Sequence, residues 1–142
     1  MTRVFLDANV YFAGTLSKQG ASAFLLQLAR HNKIHWVATR LVLLETERNL
    51  RKKTDKKTAR AFHRFLRTTK ISVLPPPTEK IMAKYEDAIH PKDIPVLAAA
   101  LEAPVDYLLT LDRRHFLTPK VAALAKKVRI MTPGDFLREF RS

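Results

Sequence analysis

The chain has 142 residues, 46% of them hydrophobic, which predicts one folded domain, residues 1–142, with a sizeable core and excludes a disordered chain. It has no cysteine, so a disulfide framework, a thiolate metal site and a cysteine nucleophile are excluded. Twenty-six Lys and Arg stand against thirteen Asp and Glu, a net charge of +13, which favours a polyanionic partner, nucleic acid before an acidic protein or an anionic membrane.

The first residues, Met1-Thr2-Arg3-Val4-Phe5-Leu6-Asp7, meet charge before a signal-type apolar segment could develop. Arg3 to Leu6 predicts a buried strand ending at Asp7. Ser22 to Arg30 carries Phe24, Leu25, Leu28 and Ala29 at helical spacing. Ile34 to Ala38 predicts a second strand, and Thr39 an N-cap for a helix through about Leu50. Asp55 to Thr68 is the clearest amphipathic helix: Ala59, Phe62, Phe65 and Leu66 share one side, and Lys56, Lys57, Arg60, Arg64 and Arg67 line the other. Trp36, Phe62 and Phe65 are expected in the core.

Ile71 to Leu74 predicts a third strand, stopped by Pro75-Pro76-Pro77, and Glu79 to Ala88 a helix. Asp93-Ile94-Pro95 opens another through about Leu101, with Pro in the first turn, where a missing N–H costs little. Val105 to Thr110 predicts a fourth strand and Leu111-Asp112-Arg113-Arg114 a turn. Val121 to Lys126 is expected helical, Arg129 to Met131 a strand, and Pro133 to Phe140 a last helix. This alternation predicts a largely parallel α/β sheet covered by helices on both faces. No apolar stretch approaches the ~20 residues that cross a bilayer, so no membrane span is expected and the protein is placed in the cytoplasm.

Ligands of open α/β sheets sit beyond the carboxyl ends of the strands. Asp7 closes the first predicted strand, Asp112 follows the fourth, Asp93 starts a helix, and Glu45 lies in the helix after the second strand. Glu47 is rotated by roughly 200° from Glu45, so only one of the two can face a common site, and Glu45 is the one chosen. Phosphodiester hydrolysis puts negative charge on phosphoryl oxygens and needs a nucleophilic water. Mg²⁺ or Mn²⁺ supplies both effects and prefers carboxylate oxygens. Taken singly, each acid also has an ordinary reading: Asp7 an Asx turn, Asp93 a helix cap, Asp112 a turn residue and Glu45 a solvated helix position.

Together these segments resemble the PIN-domain nucleases nearly end to end. Phe5-Leu6-Asp7-Ala8-Asn9-Val10 resembles their opening strand, and Leu43-Leu44-Glu45-Thr46-Glu47 their acidic helix. Pro91-Lys92-Asp93-Ile94-Pro95 is similar to the third acidic segment, Tyr107-Leu108-Leu109-Thr110-Leu111-Asp112 to the fourth, and Met131-Thr132-Pro133-Gly134-Asp135-Phe136-Leu137 to the ending. The resemblance implies a PIN-like three-layer fold and cleavage of RNA with Mg²⁺ or Mn²⁺. Asp7, Glu45, Asp93 and Asp112 would hold the metal and carry catalysis, with Asn9 and Thr110 in support. It also implies kinship with VapC-like toxins, which are inhibited by an antitoxin protein and are often homodimers. Leu111 stands where Gly is common, and Arg113-Arg114-His115 stands where a further acid would favour a second metal.

From Arg48 to Lys70 there are ten Lys or Arg against the single acid Asp55, without the alternation of a salt-bridged helix. Arg51, Lys52, Lys53, Lys56, Lys57, Arg60, Arg64 and Arg67, with Arg113 and Arg114 beside Asp112, are therefore the expected RNA-binding residues. The remaining alternative is a catalytically silent PIN fold that only binds RNA or protein. A haloacid-dehalogenase phosphatase would need a second Asp where Asn9 stands, and a receiver domain would need paired N-terminal acids.

Overall fold

In the computed structural model, which describes residues 1–140, five parallel strands form one sheet. They are β1 (Arg3–Leu6), β2 (His35–Thr39), β3 (Ile71–Leu74), β4 (Tyr107–Leu109) and β5 (Arg129–Met131), in the order β3-β2-β1-β4-β5. Central β1 pairs Phe5 with Val37 on one side and with Leu108 on the other. Val4, Phe5 and Leu6 are fully buried. Successive strand side chains point to opposite faces, so both faces of the sheet are covered. This is the three-layer α/β arrangement expected from the sequence.

The order positions the site. The chain runs outward from β1 through β2 to β3, then returns to lay β4 on the opposite side of β1. The carboxyl ends of β1 and β4 therefore flank the topological switch point, where α/β sheets open a crevice.

One helix went unforeseen. Ala8–Leu16 forms α1, although Val10-Tyr11-Phe12 favours a strand by propensity. Packing decides it: Tyr11 is fully buried, with ring centroids 5.3 Å from Trp36 and 6.1 Å from Phe62. The Trp36 indole N–H donates to the Tyr11 hydroxyl, and Phe65 packs at a tilt against Trp36 from α4 (Lys56–Thr68). The three aromatics assigned to the core do pack against it. At Gly14, α1 approaches α2 (Ala21–Arg30) so closely that an added Cβ would lie 2.9 Å from the Ser22 carbonyl oxygen.

Three other segments differ in extent. Helix α3 (Arg40–Lys53) outlasts the predicted end at Leu50, carrying its basic last turn to Lys53. The helix expected over Glu79–Ala88 stops as α5 at Ala83. Beyond it the chain tightens, Tyr85 N–H bonding to the Met82 carbonyl, and Tyr85 turns inward to donate its hydroxyl to Glu102. Burial and the neighbouring Glu102 push the Tyr85 phenol up to about 12. Leu111–Arg114, expected as a simple turn, runs into a short helix α7 (Arg113–Phe116) anchored by buried Phe116. Helices α6 (Ile94–Glu102), α8 (Pro119–Leu124) and α9 (Pro133–Glu139) lie within two residues of expectation. Among the described residues no helix is long and apolar enough to cross a membrane.

Candidate metal centre

Asp7 is set by the β1–β4 junction. Its N–H continues the ladder by bonding to the Leu109 carbonyl at 3.0 Å, which puts it beside Thr110. Asp7 Oδ1 accepts from Ala8 N–H at 2.8 Å, capping α1, and Oδ2 accepts from the Thr110 hydroxyl at 2.8 Å and from Asn9 Nδ2 at 3.3 Å. Asn9 in turn accepts the Leu111 N–H at 3.1 Å, and Thr110 Oγ1 accepts the Asp112 N–H at the same distance. Asn9 and Thr110 thus tie the end of β1 to the start of the Asp112 loop.

Asp93 ends a 3-10 turn (Pro91–Asp93) at the foot of α6, with no cap bond from its side chain. Asp112 caps α7, Oδ1 accepting from His115 N–H at 3.0 Å, and its Oδ2 lies 2.8 Å from His115 Nδ1. Glu45 sits mid-way along α3 on one face with Asn49 and Lys53, four and eight residues on. Glu47 turns away and pairs with Arg51 at 2.8 Å and with His63 at 3.7 Å.

All four acids line one cavity of about 460 Å³, with Ala8, Asn9, Phe12, Asn49, Lys53, His90, Lys92, Val96 and His115 completing the wall. Burial raises the Asp7 carboxyl to about 6; the Thr110 and Ala8 hydrogen bonds oppose that rise, and Glu45 and Asp93 add to it. Asp93 is likewise raised by burial and then by Asp112. None of the four pairs with Lys or Arg among the described residues, although the chain carries +13.

The tightest donor set is Asp93, Asp112 and His115, which offer ligand atoms all within 4.8 Å of one another. Asp7 and Glu45 stand outside that set while lining the same cavity, Asp7 with both oxygens already accepting hydrogen bonds. Clustered carboxylate oxygens held in no Lys or Arg ion pair among the described residues, plus an imidazole, are a donor set that fits a divalent cation.

The expected RNA-binding residues divide. Lys53 reaches the acidic cavity, with its ammonium 5.8 Å above the Phe12 ring. Arg51, Lys56 and Arg60 line a separate cavity with Thr54, Asp55, Ala59 and His63, and Arg64 a third with Lys18 and Arg30. Lys52, Lys57, Arg67, Arg113 and Arg114 are exposed and line none of these three. Lys92 and His90 were not foreseen in the wall, having no helical period to mark them. His115 was expected with Arg113 and Arg114 as a residue beside Asp112 that could position a phosphate, and not as a metal ligand; reading Asp112 as a helix cap would have put His115 on its side of the first turn.

The family model described as PIN domain matches residues 3–114, and the chain belongs to that family. Its fold is similar to that of a chain in the crystal structure of VapBC2 from Rickettsia felis bound to a DNA fragment from their promoter. That match has a TM-score of 0.62 at 15% identity and covers 91% of this chain and 98% of the other. No curated protein matches the sequence.

Proposed function

We propose that the protein is a divalent-cation-dependent endoribonuclease acting in the cytoplasm, the toxin of a toxin–antitoxin pair. The observation that carries this reading is that four carboxylates from four separate segments line one cavity, none of them ion-paired to Lys or Arg among the described residues. Asp7, Glu45, Asp93 and Asp112 would hold Mg²⁺ or Mn²⁺. When bound, such an ion supplies charge neutralisation at the phosphoryl oxygens and lowers the pKa of water towards neutrality.

The protein's own part is placement. Thr110 and Asn9 hold the Asp7 carboxylate against rotation. Lys53 and Lys92, the two ammonium groups of the wall, provide positive charge for phosphates entering the cavity. The basic outer face of α4 and exposed Arg113 and Arg114 extend that field over the surface, in keeping with a polyanionic substrate. An antitoxin partner belongs to the same reading, supported by family membership and by the fold shared with a VapBC2 chain, and a homodimer is proposed with it from the resemblance to VapC-like toxins.

The test is incubation of purified protein with labelled RNA in Mg²⁺, Mn²⁺ or EDTA. Cleavage is expected with either ion and none in EDTA, and Asp7→Asn should remove most of it. RNA that is bound but uncut with every metal would establish the silent binding module instead.

A further inference from the structure

His115 is the one imidazole in the tight donor set, and it stands three residues beyond Asp112 on the first turn of α7. The second histidine of the wall, His90, is spent otherwise: its Nδ1 accepts the Lys92 N–H at 3.1 Å, and its ring meets the His115 ring edge-on, 6.1 Å between centroids. His115 is held from two directions. Its backbone N–H binds Asp112 Oδ1, and its Nδ1 lies 2.8 Å from Asp112 Oδ2.

Adjacent ligands of an octahedral cation are about 3 Å apart, from bond lengths near 2.1 Å. The three ligand atoms, all within 4.8 Å of one another, would have to draw in by up to about 2 Å to share such an ion. A neutral imidazole keeps one lone-pair nitrogen, and a carboxylate on the other nitrogen is the usual device for orienting a ligating histidine. Oxygen-only sites suit Mg²⁺, which gives up water reluctantly. A nitrogen donor raises affinity for first-row transition ions instead.

We propose that His115 is a nitrogen ligand of the bound cation and tilts the site from Mg²⁺ towards Mn²⁺. The proposal rests on the cation-dependent reading above, and its test separates the two.

Metal-free protein is titrated with Mn²⁺, the free ion being followed by electron paramagnetic resonance, and with Mg²⁺ by calorimetry. The bound Mn²⁺ is then examined for electron spin echo modulation from directly coordinated ¹⁴N. The wild type should bind Mn²⁺ more tightly and show the nitrogen modulation, which ¹⁵N-histidine labelling should replace. His115→Ala should lose the modulation and weaken Mn²⁺ about tenfold or more, with Mg²⁺ affinity changed less than twofold. His115→Asn, which keeps an N–H for Asp112, should lose the Mn²⁺ preference as well.

Bound Mn²⁺ without nitrogen modulation in the wild type overturns the proposal without any variant having to fold. Equal weakening of both ions in His115→Ala, restored by His115→Asn, also overturns it and leaves His115 as a positioning residue for Asp112. A wild type that binds neither ion overturns the cation-dependent reading together with this one.

Discussion

The Thr110 hydroxyl donates to Asp7 Oδ2 at 2.8 Å, joining the carboxyl ends of β4 and β1 across 103 residues of chain. Both residues are buried, and Thr110 Oγ1 also accepts the Asp112 N–H, so one hydroxyl sets two of the cavity's acids. Hydrogen bonds to charged groups contribute about 1.5–3 kcal/mol, and a buried acceptor left without its donor carries a desolvation cost of that order.

Thr110→Val should therefore destabilise the protein by about 1.5–3 kcal/mol at neutral pH and lower cleavage, while Thr110→Ser retains most of both. Urea unfolding and initial cleavage rates measure the two effects. A Thr110→Val protein as stable and active as wild type would show that the bond does nothing.

Asp7 sets stability against function. Its carboxyl is raised from 3.8 to about 6, chiefly by burial, so the folded state holds the proton more tightly than the unfolded chain. The sign follows: the stability contributed by the protonated group is fully present below about pH 3.8 and is lost as pH rises through 6. Two pKa units correspond to about 3 kcal/mol, an upper figure for this group. In EDTA, Asp7→Asn should flatten that pH dependence and raise stability at pH 7; with Mg²⁺ or Mn²⁺ present it should remove most cleavage. Unfolding free energies of both proteins from pH 4 to 8 check it, and parallel curves would refute it.

Gly14→Ala ordinarily favours a helix by up to about 1 kcal/mol. Here the new methyl would lie 2.7 Å from Leu26 Cδ1 and 2.9 Å from the Ser22 carbonyl oxygen, and backbone cannot yield as a side chain does. A net loss of about 1–3 kcal/mol is expected, with α1 and α2 forced apart. A raised melting temperature would count against this account of the close approach.

Reversing the exposed charges Lys56, Arg60 and Arg64 to Glu should weaken RNA binding and flatten its salt dependence, whose logarithmic slope is about −0.7 per phosphate neutralised. These residues line other cavities than the acids, so cleavage at saturating RNA should hold. Binding isotherms at several salt concentrations and saturated cleavage rates separate the effects. A lost saturated rate with unchanged affinity would place the basic residues in the chemistry instead.

Strand–helix alternation and the apolar run before Asp7 were legible as periodicities, because burial on two faces of a parallel sheet leaves a local trace in residue order. That Glu45 and Glu47 cannot share a face was legible too, from helix geometry; that Glu45 is the one in the cavity wall is a result of the fold. Segment α1 was not legible: Val10-Tyr11-Phe12 is strand-like by local preference, and only Trp36 and Phe62, distant in the chain, make its helix the better burial.

The composition of the cavity wall lay further from the sequence still. Charge counting marked Arg48–Lys70 as one basic surface, and folding divided it, sending Lys53 to the acids and Arg51, Lys56 and Arg60 to another cavity. His90, Lys92 and His115 come together with Asp93 and Asp112 because β4 returns beside β1 and brings α7 against the foot of α6. Residue order carries local preference and periodicity. Which remote side chains share a cavity depends on the strand order β3-β2-β1-β4-β5 and on the close packing that selects it.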